Sequence, residues 1–316
     1  KRIQGTYGKE AVTAITSSHH SWGLCGYKIS LFKRFFSMLG YTRIMDNPDS
    51  WEGFHWGTPH TYGYYWRLGG PEPFDMLHDA MKNTETMIMW SHDPDTTRGG
   101  YSAQESALWR WWMKEAGVQF IYIDPFNNFS SVKQADKWIA PRMGTDAALC
   151  EAIAYVWITE GTYDKDYIAT HTYGFDKFAA YVLGEEDGVP KTPRWASEKC
   201  GVKPWTIKAL ARHWAKKTTS ILHGNGGCYI RGPYATEPAR LEVMLLGMQG
   251  LGRPGVHQAK MIEWNMWARD FPVPYQGDFA PKVPQICDCL RAVDGDLPDD
   301  IDMRRYDLND YQKERA

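Results

Sequence analysis

The feature that most constrains this chain is a repeated order of short apolar runs and longer helical stretches. Residues 86–90, 118–123 and 220–222 have the length and composition of buried strands, and residues 12–15 and 42–45 add two short ones. Helical patterning lies between them, over 29–39, 72–82, 103–116, 146–160, 206–216 and 238–250, with Gly117 a stop signal after the third. Strands that alternate with helices predict βαβ units: an α/β chain with mostly parallel sheets and flanking helices. Ligands of such sheets bind at the carboxyl ends of the strands. Three of these strands run into polar or glycine-rich loops: Ser91 to Thr97, Asp124 to Asn128, and His223 to Gly227.

The 316 residues set a prior of about two domains. Lys and Arg number 36 against 38 Asp and Glu, a net charge of −2, so no basic surface predicts a nucleic-acid partner. No apolar run of about 18 residues predicts insertion into a membrane. The six cysteines form no CxxC pair, which argues against a zinc ribbon or an iron–sulfur cluster on this chain. The chain opens on Lys1 and carries no signal-peptide pattern, as expected of a fragment or a processed product. Aromatic residues reach 14%, with 15 Trp, a composition that suits flat ligands and a thick core equally.

Serine, threonine, aspartate and glycine after a strand offer hydroxyls and backbone N–H groups to phosphate, and Asp124 at a strand tip can accept from a ribose or a guanine. Taken one at a time, these loops are equally ordinary turns. Neither GxGxxG nor a P-loop occurs. The loop Asn47-Pro48-Asp49-Ser50 reads on spacing alone as a helix N-cap.

In order along the chain, the motifs resemble the molybdopterin oxidoreductases of the dimethyl sulfoxide reductase type. The residues that carry the likeness are Trp90-Ser91-His92-Asp93-Pro94-Asp95-Thr96-Thr97, Ile123-Asp124-Pro125, Ala135-Asp136-Lys137-Trp138-Ile139-Ala140-Pro141, Gly144-Thr145-Asp146-Ala147-Ala148-Leu149, and Gly247 to Gly255. The resemblance implies Rossmann-like dinucleotide-binding domains and molybdenum (or tungsten) held by two molybdopterin guanine dinucleotides. It implies a discontinuous first domain over 1–62 and 217–316 with the metal-ligand loop, and a second over 63–216 that binds one dinucleotide. The family's N-terminal iron–sulfur segment and C-terminal cofactor domain have no counterpart in the chain. Cofactor contacts implied by matched position are Trp90, Ser91, Asp93, Pro94, Thr97, Asp124, Pro125, Gly144, Thr145 and Asp146, with Gly224 and Cys228 near the pterin.

Ser50 matches the position that supplies the metal's protein ligand, and a hard alkoxide oxygen suits a high-valent centre already carrying sulfur. Ser17-Ser18-His19-His20, Asn47 to Gly53 and His55-Trp56-Gly57 resemble the transhydroxylase branch of the family, whose members move a hydroxyl between pyrogallol- and phloroglucinol-type phenols. That branch implies His19 and Asp49 as an acid/base pair, Tyr275 as a third catalytic member, and Trp22, Tyr27 and Trp51 around the phenol ring. It also implies a small iron–sulfur electron-transfer subunit as partner and a cytoplasmic address, with export through a lost leader as the alternative. Reductive catechol dehydroxylation, S- or N-oxide reduction and a non-catalytic nucleotide-binding module stay open as other readings.

Overall fold

The structure is a computed structural model and describes residues 1–14, 35–36, 38–43, 53, 57, 60–61, 73–96, 103–223, 228 and 234–259. Contacts divide the chain into two compact units, Lys1–Asp49 with Asp270–Ala316, and Ser50–Arg269.

In the first unit, strands β1 (Thr13–Ala14) and β2 (Thr42–Arg43) pair in parallel, with Thr13 opposite Thr42. The N-terminal helix Arg2–Tyr7 is tied to the turn before β2, because the Gln4 amide donates to the carbonyls of Leu39 (3.1 Å) and Gly40 (2.7 Å). Tyr41, next to that turn, is buried.

The second unit is built on a five-stranded sheet in the order β5-β4-β3-β6-β7, every pair parallel. The strands are β3 (Thr86–Trp90), β4 (Gln119–Ile123), β5 (Lys137–Ile139), β6 (Thr219–His223) and β7 (Gln258–Ala259). β3 is buried at all five positions, as a central parallel strand covered on both faces must be. Alternation assigns its side chains to two cores. Ile88 and Trp90 join Ile121, Ile123 and Ile221 under the helices Asp146–Glu160, Pro193–Cys200, Pro204–Lys216 and Thr236–Met248. Met87 and Met89 join Phe120, Tyr122 and Leu222 under the helices Pro73–Asn83 and Ala103–Glu115. In the larger core Trp157 and Trp214 meet edge to face at 5.0 Å, and the Trp157 indole donates to the Ala211 carbonyl at 2.7 Å.

This is the expected α/β class with parallel strands and flanking helices. Thr219–His223 pairs along its whole length with β3, Thr86 opposite Thr219 and Trp90 opposite His223. Among the described residues no helix is long and apolar enough to cross a membrane.

Candidate functional site

The strand order fixes where a ligand fits. From β3 the chain steps outward through β4 to β5, then returns to the other side of β3 with β6 and β7. The reversal lies between β3 and β6, and the carboxyl ends of strands flanking such a switch point form the crevice where open α/β sheets bind ligands. Trp90 and His223 end the two strands side by side.

The chain leaves β3 through Ser91, whose φ of 49° lies in the left-handed region, an uncommon setting for a residue with a side chain. Its Oγ donates to Cys228 Sγ at 3.6 Å, across the switch point. Burial raises the Cys228 thiol well above its ordinary pKa, so this sulfur is a neutral SH group. Trp90 Nε1 donates to Asp146 Oδ1 at 2.9 Å, tying the end of β3 to the start of the Asp146–Glu160 helix. Burial raises the Asp146 carboxyl, and the Trp90 hydrogen bond opposes that rise.

Asp124 is the first residue after β4. Its Oδ1 accepts from the Phe126 N–H at 2.9 Å and its Oδ2 from the Asn128 amide at 3.3 Å. The Trp138 indole donates to its carbonyl at 2.8 Å. Burial raises its pKa, and it keeps partial access to solvent. Asn128 then caps the helix Phe129–Gln134 by accepting from the Ser131 N–H at 2.8 Å. After β5, Gly144 sits at φ 73° and Thr145 precedes the helix Asp146–Glu160. The Thr145 hydroxyl donates back to the Arg142 carbonyl at 2.6 Å and makes no cap, and the Ala148 N–H bonds back to the Thr145 carbonyl at 3.1 Å.

Asp93 is committed within the protein. Its Oδ2 accepts from Thr96 Oγ1 at 2.6 Å, and its Oδ1 lies 2.7 Å from Ser130 Oγ and 3.3 Å from the Ser130 N–H. Burial acts to raise its pKa, but these hydrogen bonds outweigh it and hold the carboxyl below its ordinary range. His92, its neighbour, has a buried Nε2 with no hydrogen-bond partner among the described residues. Burial, with the Arg110 cation pushing the same way, lowers the imidazole to about 3, so it stays neutral.

Of the residues expected at the site, the structure brings Trp90, Ser91, Asp146 and Cys228 into one bonded group. Asp124 and Gly144 to Asp146 sit at the same ends of the neighbouring strands. Pro94 is buried within the loop, and Pro125 is exposed beside Asp124. His19, Trp22, Tyr27, Asp49, Ser50, Trp51, Thr97, Gly224 and Tyr275 lie outside the described residues. Sequence reasoning passed over Ser130 and Arg110, which brace the loops, although Asn128 followed by Phe-Ser-Ser is a readable N-cap signal.

The arrangement suits a hydrogen-bonding ligand: a helix start without a side-chain cap, a part-exposed carboxylate at a strand tip, and a buried imidazole nitrogen without a partner among the described residues. A family model described as molybdopterin oxidoreductase matches residues 2–264. The pyrogallol hydroxytransferase large subunit of Pelobacter acidigallici is 46% identical over 283 residues, 88% of this chain and 31% of that one. The dimethyl sulfoxide/trimethylamine N-oxide reductase of Rhodobacter capsulatus is 31% identical over 233 residues, 71% of this chain and 27% of that one. The structure of acetylene hydratase from Pelobacter acetylenicus aligns with TM-score 0.47 and 17% identity, over 81% of this chain and 32% of that one. The chain thus spans under a third of the length of these relatives. On the match that runs through nearly all of its first 264 residues, the chain belongs to the molybdopterin oxidoreductase family.

Proposed function

We propose that this chain is the dinucleotide-binding part of the large subunit of a molybdenum (or tungsten) enzyme that transfers a hydroxyl group between polyhydroxylated phenols. The observation that carries the reading is the 46% identity with a pyrogallol hydroxytransferase large subunit, sustained over 283 residues. A strand-end crevice suited to a dinucleotide supports it.

The cofactor would be a pair of molybdopterin guanine dinucleotides, whose metal would supply a redox-active Lewis-acid centre for the phenol. At the switch point, the Asp124 carboxylate and the start of the Asp146–Glu160 helix hold one guanine nucleotide. Trp90 keeps the helix start in place through Asp146. Ser50 is the protein ligand of the metal.

His19 and Asp49 handle protons. A phenol hydroxyl activated for transfer must lose its proton, and a hydroxyl that leaves a ring must gain one. An imidazole, with an ordinary pKa near 6.5, takes the first proton at neutral pH. A carboxyl kept protonated by burial supplies the second. Tyr275 completes the set, and Trp22, Tyr27 and Trp51 wall the ring. The discontinuous domain over 1–62 and 217–316 carries this chemistry, a small iron–sulfur subunit is the partner, no iron–sulfur cluster sits on this chain, and the address is cytoplasmic.

The test uses the full-length enzyme. Bound molybdenum and released guanine nucleotide are measured, and turnover of pyrogallol is followed with and without an external reductant. Hydroxyl transfer without reductant, lost in Ser50→Ala together with the metal, is the expected result. Turnover only with reductant moves the reading to catechol dehydroxylation. Reduction of dimethyl sulfoxide with no action on pyrogallol moves it to the oxide reductases, a reading favoured by the 31% identity with one of them.

A further inference from the structure

Beneath the switch-point loops lies a charged network that includes Asp93 and reaches Asp124 through Asn128. The Arg110 side chain, on the helix Ala103–Glu115, is 0% exposed. Its Nη2 lies 3.4 Å from Asp95 Oδ2, and its Nε donates to Gln134 Oε1 at 3.0 Å. Gln134 also accepts from the Tyr122 hydroxyl of β4 at 3.4 Å. Ser130, fully buried, stands between two carboxylates: Oγ is 2.7 Å from Asp93 Oδ1 and 3.0 Å from Asp95 Oδ2, and it accepts from the Asp95 N–H at 3.2 Å.

A surface loop has no need of a buried guanidinium beneath it. Burying that cation is unfavourable unless carboxylates answer it, and here the loop after β3 supplies Asp95. The network joins three segments distant in sequence: the 91–96 loop, the Ala103–Glu115 helix and the first turn after the Asp124 loop. Asn128 adds a link by donating to the His92 carbonyl at 3.4 Å.

We propose that Ser130 and Arg110 are positioning residues of the dinucleotide site. They lock the loop after β3 to the loop after β4, so that the two present one preset surface to the nucleotide. Asp93 on this view is a brace for the loop and makes no contact with the cofactor. The proposal rests on the reading of the switch point as a guanine dinucleotide site. Preset loops bind more tightly because ordering is complete before the ligand arrives.

The test uses the full-length holoenzyme and measures the rate at which guanine dinucleotide is released, with amide hydrogen exchange over residues 91–96 as a second readout. In Ser130→Ala the Asp95 N–H loses its acceptor and Asp93 loses a donor. Release about tenfold faster and faster exchange centred on Asp95 are expected, with exchange elsewhere in the sheet unchanged. Should Ser130→Ala fail to fold, Thr96→Val at the exposed rim frees the other Asp93 oxygen, and faster release is expected there too. Release at the native rate from folded variants overturns the positioning role while leaving the dinucleotide reading intact. A native holoenzyme that yields no guanine dinucleotide overturns that reading itself.

Discussion

The indole N–H of Trp90 and the carboxylate of Asp146 meet at 2.9 Å although 56 residues separate them. Trp90 ends the central strand and Asp146 opens the longest described helix, so this one bond aligns the two elements whose ends form the crevice. Both side chains are buried, Trp90 at 0% and Asp146 at 3% exposure. Trp90→Phe keeps most of the apolar contact and strips the carboxylate of its indole donor. A loss of about 1–3 kcal/mol in chemical denaturation is expected, the cost of a buried polar group left without a partner. A smaller loss in Asp146→Asn, whose amide oxygen still accepts, would place the effect in this bond.

Glu151, about one and a half turns along the same helix, is a titrating group in the neutral range. Burial raises its pKa from 4.5 to about 7, against the hydrogen bond from Tyr181 and the Lys191 and Lys199 cations. Tyr181 lies 3.2 Å away and is itself pushed up to about 12 by burial and by Glu151. Between 4.5 and about 7 the unfolded chain has released this proton and the folded one still holds it. Stability therefore falls as pH rises through that window, by on the order of 3 kcal/mol at most. Glu151→Gln should flatten the profile, as measured by urea denaturation across the range.

Two glycines should respond differently to alanine. Gly144 adopts φ 73° with nothing within 4 Å of a built Cβ, so Gly144→Ala meets only backbone strain, about 1–2 kcal/mol. At Gly255, φ 77°, a Cβ would stand 2.7 Å from the Asn83 carbonyl group and from Thr218 Cγ2. Gly255→Ala should cost more than about 3 kcal/mol. Melting temperatures of the two variants compare them directly.

Arg142 closes the far end of a helix at the rim of the site. Its Nη1 donates to the carbonyls of Glu198 (3.1 Å) and Lys199 (3.2 Å), the last turn of Pro193–Cys200. Arg142→Ala should cost about 1 kcal/mol, because the carbonyls are exposed and water replaces the guanidinium. Faster amide exchange confined to that helix would locate the effect.

The limits of β3 and of the Asp146–Glu160 helix were legible residue by residue. Five consecutive apolar or β-prone residues have few alternatives, and Gly144-Thr145-Asp146 marks a helix start. The helices Lys165–His171, Phe175–Leu183 and Pro193–Cys200 were not read. Each is short, and their start signals at Asp164 and Thr192 are single side chains that also suit turns. The roles of Asp93 and Asp124 could not be separated by sequence. Both are aspartates just after a strand and both accept hydrogen bonds, but Ser130 and Thr96 hold the Asp93 carboxyl below its ordinary range while burial raises that of Asp124.

By itself, the sequence determined the strand-and-helix alternation, the loops that follow the strands and the motifs of the family, since apolar period and turn chemistry act over a few neighbouring residues. Tertiary structure alone decided that β6 returns beside β3 and so creates the switch point, and that Arg110 is buried under Asp95. Strand order and ion pairing join residues far apart along the chain, and their energies exist only once the sheet has brought them within reach.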